Sequence, residues 1–247
     1  MSPSPVRDVV LPFAVITAVT VLVSVAGRWQ PLDEYVPALV GGLFLFAAVH
    51  LSQRQPDGLK RYGLRLGGLL EPPEQTPDGS LGALLDLGRA LWRALPLSAR
   101  EIGVALGVGA IVFPPFVLGF FLFHEPKRPF ALQLPAGVVG YVLTQVLVVG
   151  IPEEALFRGY FQGRLSDRFA RRTRLLGADV SLPAFLLQAG LFALIHVAVD
   201  LNPARLAVFF PALLFGWLRE RRGGIGAAAV LHALCNLLSD VLFRSWL

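Results

Sequence analysis

Along this chain, long apolar runs alternate with short polar turns. The runs fall at about 9–26, 36–51, 102–123, 131–164, 182–199, 203–218 and 224–243. All but the fourth, which is longer, are near the ~20 residues a helix needs to cross a bilayer. Between the second and third runs the pattern changes. From Leu81 to Leu95 the residues Leu81, Leu84, Leu85, Leu91, Trp92 and Leu95 recur near helical spacing, with Asp86, Arg89 and Arg93 on the other side. That spacing predicts an amphipathic helix lying in the membrane interface. Just before it, Glu71-Pro72-Pro73-Glu74-Gln75-Thr76-Pro77 cannot be helical throughout and predicts a loop outside the bilayer. Pro114-Pro115 predicts a kink in the third run. The fold expected is all-α: a polytopic transmembrane helical bundle of about seven spans, within a range of six to eight, plus the interfacial helix. It forms one membrane domain, 1–247. Residues 1–100 contribute an N-terminal hairpin, the polar loop and the interfacial helix, and residues 101–247 form a helical core.

Composition agrees. At 55% hydrophobic and 16% charged over 247 residues, with a mean hydropathy of +0.63, the chain is too apolar for an ordinary soluble domain. The single cysteine, Cys235, excludes an internal disulfide and a Cys-rich metal site. The net charge of +5 comes from Lys and Arg in the turns between spans, which fits orientation in a lipid bilayer and no nucleic-acid partner. With the amino terminus cytoplasmic, the basic connections after spans two, four and six share one face. The fourth-span connection is the most basic, with Arg164, Arg168, Arg171, Arg172 and Arg174; Lys127 and Arg128 are the exception. The run at 9–26 is longer than a secretory signal's apolar region and more spans follow, so it is expected to be a retained span. The Ala, Gly, Pro and Arg bias reads as bacterial, which implies the inner membrane.

Within this pattern one stretch stands out. Pro152-Glu153-Glu154-Ala155-Leu156-Phe157-Arg158 places three ionisable residues inside the fourth run. A charge at the centre of a membrane helix costs roughly 2.5–3.5 kcal/mol, so these groups must pair or work. Counted at 1.5 Å per residue, Glu153 lies about 16 Å from Arg164, His196 about 22 Å from Ser181, and His232 and Asn236 about 15 and 21 Å from Arg222. Three helices thus bring strongly polar side chains to one level. Glu154 and Arg158 are spaced i, i+4, with the acid first, the favourable order for an ion pair. Glu153 is turned about 100° away by the helical period, which leaves it the freer carboxylate. A carboxylate in that setting can serve as a general base, with His196 sharing the proton. His232 and Asn236, i, i+4 on one face, can both donate to a developing oxyanion. Pro152 loosens the helix where water must enter.

Blander roles suit several of these residues. A buried histidine bonded to a carbonyl is common, and Glu154 with Arg158 reads as a structural pair. Phe157 and Phe192 suit packing, His50 and His124 sit at span ends, and Cys235 suits a packed small thiol. A zinc site lacks a His-Glu-x-x-His pattern, and a proton-coupled transporter lacks visible inverted repeats. A non-catalytic binding or immunity factor on the same scaffold stays open.

Glu153-Glu154-x-x-x-Arg158, Phe192-x-x-x-His196 and His232-x-x-x-Asn236, in that order on separate helices, resemble the CPBP family of intramembrane glutamic endopeptidases, which includes the type II CAAX prenyl endopeptidases. The resemblance covers the chain from about Ala131 onward. It implies a metal-independent, cofactor-free peptidase that cleaves near the carboxy terminus of membrane-associated protein or peptide substrates carrying a C-terminal signal. Glu153 and His196 would activate water, His232 and Asn236 would stabilise the oxyanion, and Glu154 and Arg158 would tune the base. Eukaryotic members act on prenylated tails. Bacterial members include enzymes of peptide maturation and bacteriocin immunity, and sorting-signal peptidases of the myxosortase type.

Overall fold

A long apolar chain away from water satisfies its backbone by hydrogen-bonding it within helices. The computed structural model describes residues 6–29, 32–64 and 79–247, the side chains of 6 and 79–87 excepted, and is helical almost throughout. The helices are α1 (Leu11–Ala26), α2 (Val36–Gln53), α3 (Gly58–Arg61), α4 (Gly79–His124), α5 (Val138–Thr144), α6 (Ile151–Glu154), α7 (Gln162–Arg168), α8 (Leu182–Asp200), α9 (Phe209–Arg222) and α10 (Gly226–Trp246). Among the described residues, six stretches are long and apolar enough to cross a membrane: Arg7–Ala26, Asp33–Gln53, Gly88–His124, Val138–Arg168, Leu182–Asp200 and Gly226–Trp246. The protein is an integral membrane protein built as an all-α bundle.

The expected seventh span, 203–218, takes another form. It is a 3₁₀ segment, Pro203–Val208, followed by the 14-residue α9. At 1.5 Å per residue α9 rises only about 21 Å, short of a hydrocarbon layer of about 30 Å. The expected interfacial helix and third span form one 46-residue helix, α4, which continues through Pro96, Pro114 and Pro115. Leu91, Trp92 and Leu95 on it are exposed. The basic stretch after α7 holds a hairpin that the apolar pattern does not signal: β1 (Thr173–Leu175) pairs antiparallel with β2 (Ala178–Val180). Leu176 and Gly177, at φ 46° and 81°, make its two-residue turn, the positive-φ pair a tight hairpin requires. The Pro-rich loop expected at 71–77 lies outside the described residues.

Basic connections meet at one end of the bundle. Arg61 pairs with Asp167 at 2.5 Å, Arg164 with Asp8 at 2.5 Å, and Arg219 donates to the Arg61 carbonyl at 3.4 Å. α3, α7, the carboxy end of α9 and the segment leading into α1 are thereby tied together. Tyr62, buried between them, donates to Asp167 at 2.9 Å. Burial, with that hydrogen bond second, holds its phenol protonated well above the usual range.

The fourth span runs through the middle and is not a uniform α-helix. α5 passes into a π-helical segment, Gln145–Gly150, then α6, then a second π-helical segment, Ala155–Phe161, then α7. Such wide turns recur at functional sites, because they shift every later side chain around the axis. Small residues bring its neighbours close. A methyl on Gly150 would stand 2.7 Å from the Ala229 carbonyl oxygen, and one on Gly41 would strike the Val148 carbonyl. α10 meets the span at the buried Ala229. Close backbone approach of this kind is how helices associate where lipid is the alternative neighbour.

Candidate active site

α6 and the segment after it carry the three charges. Glu154 and Arg158 are both fully buried, with Arg158 Nη1 3.0 Å from Glu154 Oε1. The angles of that contact do not make a hydrogen bond, so it is an ion pair only. The guanidinium is also covered by aromatic faces, 4.1 Å from the centre of Phe192 and 5.2 Å from that of Phe215. Two rings and a carboxylate together make the burial of an arginine tolerable.

Glu154 has a second partner that the sequence pattern does not disclose. Its Oε1 accepts from His232 Nδ1 at 2.8 Å, joining α6 to α10. An ionised carboxylate can only accept, so Nδ1 carries the proton. His232 Nε2 then faces Glu153, 3.8 Å from Oε2. Phe215 stacks on the imidazole at 4.9 Å between centres and 15° between planes, which fixes the ring.

Among the described residues Glu153 has no Lys or Arg within ion-pair distance, and its Oε2 is buried without a hydrogen-bond partner. It lines a cavity of about 240 Å³ together with His196, Thr20, Ser24, Gly41, Phe44 and Val148. His196 Nδ1 is 2.8 Å from its own helix's Phe192 carbonyl. A carbonyl only accepts, so this nitrogen is the donor and Nε2 is left as the lone-pair side. The wall opposite is supplied by α1 and α2, a part of the chain without recognisable motif residues.

The other members of the set are placed differently. Asn236 does not line that cavity. Its Nδ2 donates to Gln145 Oε1 at 2.8 Å, from α10 to the first π-helical segment. The sequence motifs do not include Gln145; an uncharged amide inside an apolar span is its only signal. Glu153, Glu154 and His232 are thus in one cluster, His196 shares the cavity wall with Glu153, and Asn236 is held by Gln145. Among the described residues, no group of three or more His, Cys, Asp and Glu side chains is placed to hold a metal ion.

Glu153 and His196 thus meet at a cavity inside a helical membrane bundle, with His232 against Glu153. Residues 135–238 match the family model described as Rce1-like, Type II CAAX prenyl endopeptidase Rce1-like. This segment is similar to Rce1-like protease domains, and it spans every residue from Glu153 to Asn236 while leaving α1, α2 and α4 outside. No curated protein and no solved structure matches the chain.

Proposed function

We propose that the protein is a metal-independent intramembrane endopeptidase that hydrolyses a peptide bond near the carboxy terminus of membrane-associated proteins or peptides. The observation that carries this is the half-buried Glu153 carboxylate, its Oε2 buried without a hydrogen-bond partner and no Lys or Arg within ion-pair distance among the described residues, in a cavity wall shared with His196. Water admitted there loses a proton to Glu153, with His196 Nε2 as a second acceptor, while its oxygen attacks the substrate carbonyl carbon. The tetrahedral oxyanion needs donors. His232 Nδ1 is engaged by Glu154, so His232 serves from Nε2 as an imidazolium that already carries both protons when water enters, its charge balanced by Glu154. Asn236 Nδ2 is the second donor through its other hydrogen, the first being held by Gln145. As the C–N bond breaks, the proton held by Glu153 passes to the departing amine. Glu154 and Arg158 position this machinery and do not touch the reacting atoms.

The amino terminus is cytoplasmic in this proposal, since the connections that meet through Arg61, Arg164 and Arg219 are the basic ones. The membrane is the bacterial inner membrane, and the substrates carry C-terminal sorting or maturation signals. Reconstituted in liposomes, the wild type is expected to release C-terminal fragments from peptide pools in the presence of chelator. Loss of cleavage on chelation, with recovery on adding zinc, would replace this mechanism with a metal-dependent one.

A further inference from the structure

The cavity beside Glu153 has a charged end that the hydrolytic chemistry leaves unused. Its lining comes from the carboxy end of α1, the amino end of α2 and the carboxy end of α8, and includes Asp200 and Arg205. These helix ends lie away from the basic connections, since the segment leading into α1 is tied to Arg164. Among the described lining residues, Arg205 is the one Lys or Arg. It is ion-paired with Asp200 through Nε, and among the described residues its two terminal nitrogens have no hydrogen-bond partner.

That pair is not needed to form the turn. Leu201 ends α8 with φ 51°, and Asn202 Oδ1 caps the next segment by accepting from Ala204 N at 3.0 Å. Both partners are also partly exposed, 49% and 36%. A pair so exposed is weak, so exchanging Asp200 for another carboxylate costs little. Guanidinium binds carboxylate bidentately, and the open terminal nitrogens suit a second one. Asp200 stands one turn beyond His196, about 6 Å of helical rise. An extended peptide covers that distance in about two residues.

We propose that Arg205 is the anion-binding end of the substrate cleft, taking a substrate carboxylate about two residues behind the bond cut beside Glu153. The site therefore selects peptides with a carboxylate, either the free chain terminus or an acidic side chain, close to the scissile bond. This rests on the peptidase function proposed above.

The test is binding and cleavage on the purified full chain in detergent micelles. The probes are fluorescent decapeptide pools randomised at the last four positions, made as free acids, as carboxamides, and as carboxamides ending in Asp. The wild type is expected to bind the free acids at least tenfold more tightly than the carboxamides. Arg205→Gln is expected to lose that preference and still bind carboxamides like the wild type, which shows that it is folded. Asp200→Asn removes the competing carboxylate and is expected to tighten binding of the acids, an opposite shift that misfolding cannot produce. Asp-ended carboxamides that behave like acids identify a side-chain carboxylate as sufficient; those that behave like plain carboxamides identify the terminus. Equal wild-type affinity for acids and carboxamides, or a preference that survives Arg205→Gln, would overturn the assignment. Arg205-dependent acid binding without cleavage would keep this site and remove the peptidase, whereas cleavage without acid preference would do the reverse.

Discussion

Glu154 Oε1 joins two groups at once, Arg158 on its own helix at 3.0 Å and His232 Nδ1 on α10 at 2.8 Å. One buried carboxylate therefore both neutralises the arginine and sets which nitrogen of His232 faces Glu153. Glu154→Gln is expected to leave Arg158 buried without a counter-charge, at a cost of about 3–5 kcal/mol. The double variant Glu154→Gln/Arg158→Met should recover much of that stability and none of the activity, as read by unfolding in detergent and by peptide cleavage. A single variant as stable as the wild type would contradict the pairing.

His232→Ala is expected to lower kcat by roughly 100-fold or more, the scale of losing one oxyanion donor. The protein should stay folded, because the ion pair of Glu154 with Arg158 remains. Cleavage kinetics beside an unfolding curve check this, and undiminished kcat would remove His232 from the chemistry.

Gly150 sets how near α10 can come. Gly150→Ala places a methyl 2.7 Å from the Ala229 carbonyl oxygen, and the obstacle is backbone. A loss of about 1–3 kcal/mol is expected from such overpacking, together with reduced activity as His232 retreats from α6. Gly140→Ala is the control, since nothing lies within 4 Å of the added methyl. Equal behaviour of the two variants in unfolding and cleavage would show that the contact does not govern the site.

Part of this site is legible in the sequence. Glu154 with Arg158 can be read there because four residues on one helix is a local relationship, and Glu153 then stands out as the carboxylate without a cation. The link of Glu154 to His232 cannot, because it spans 78 positions and depends on how closely α10 packs. The two π-helical segments also defeat residue counting, since each shifts the rotational phase that a 3.6-residue period assumes. Spacing alone ties Asn236 to His232, but its amide contact is with Gln145. Likewise 203–218 is apolar enough to suggest a span, while its helix starts only at Phe209. The cavity wall from α1 and α2 carries no motif, and only tertiary packing brings it to Glu153.

Gln145 acts through Asn236 and is a positioning residue. Gln145→Ala is expected to lower kcat about tenfold with little change in KM, less than the roughly 100-fold expected for Asn236→Ala. Gln145→Glu keeps the acceptor oxygen and should restore much of the rate. If Gln145→Ala instead raises KM alone, the contact serves substrate binding and not the oxyanion.

The most direct test of Glu153 as the water-activating base is a comparison of protein carboxy termini by mass spectrometry. Cells lacking the gene would be given either the wild type or Glu153→Gln, with membrane levels and detergent unfolding of the two proteins matched. New, shortened carboxy termini are expected with the wild type and absent with Glu153→Gln. The same shortened termini at the same abundance from both would contradict the role of Glu153.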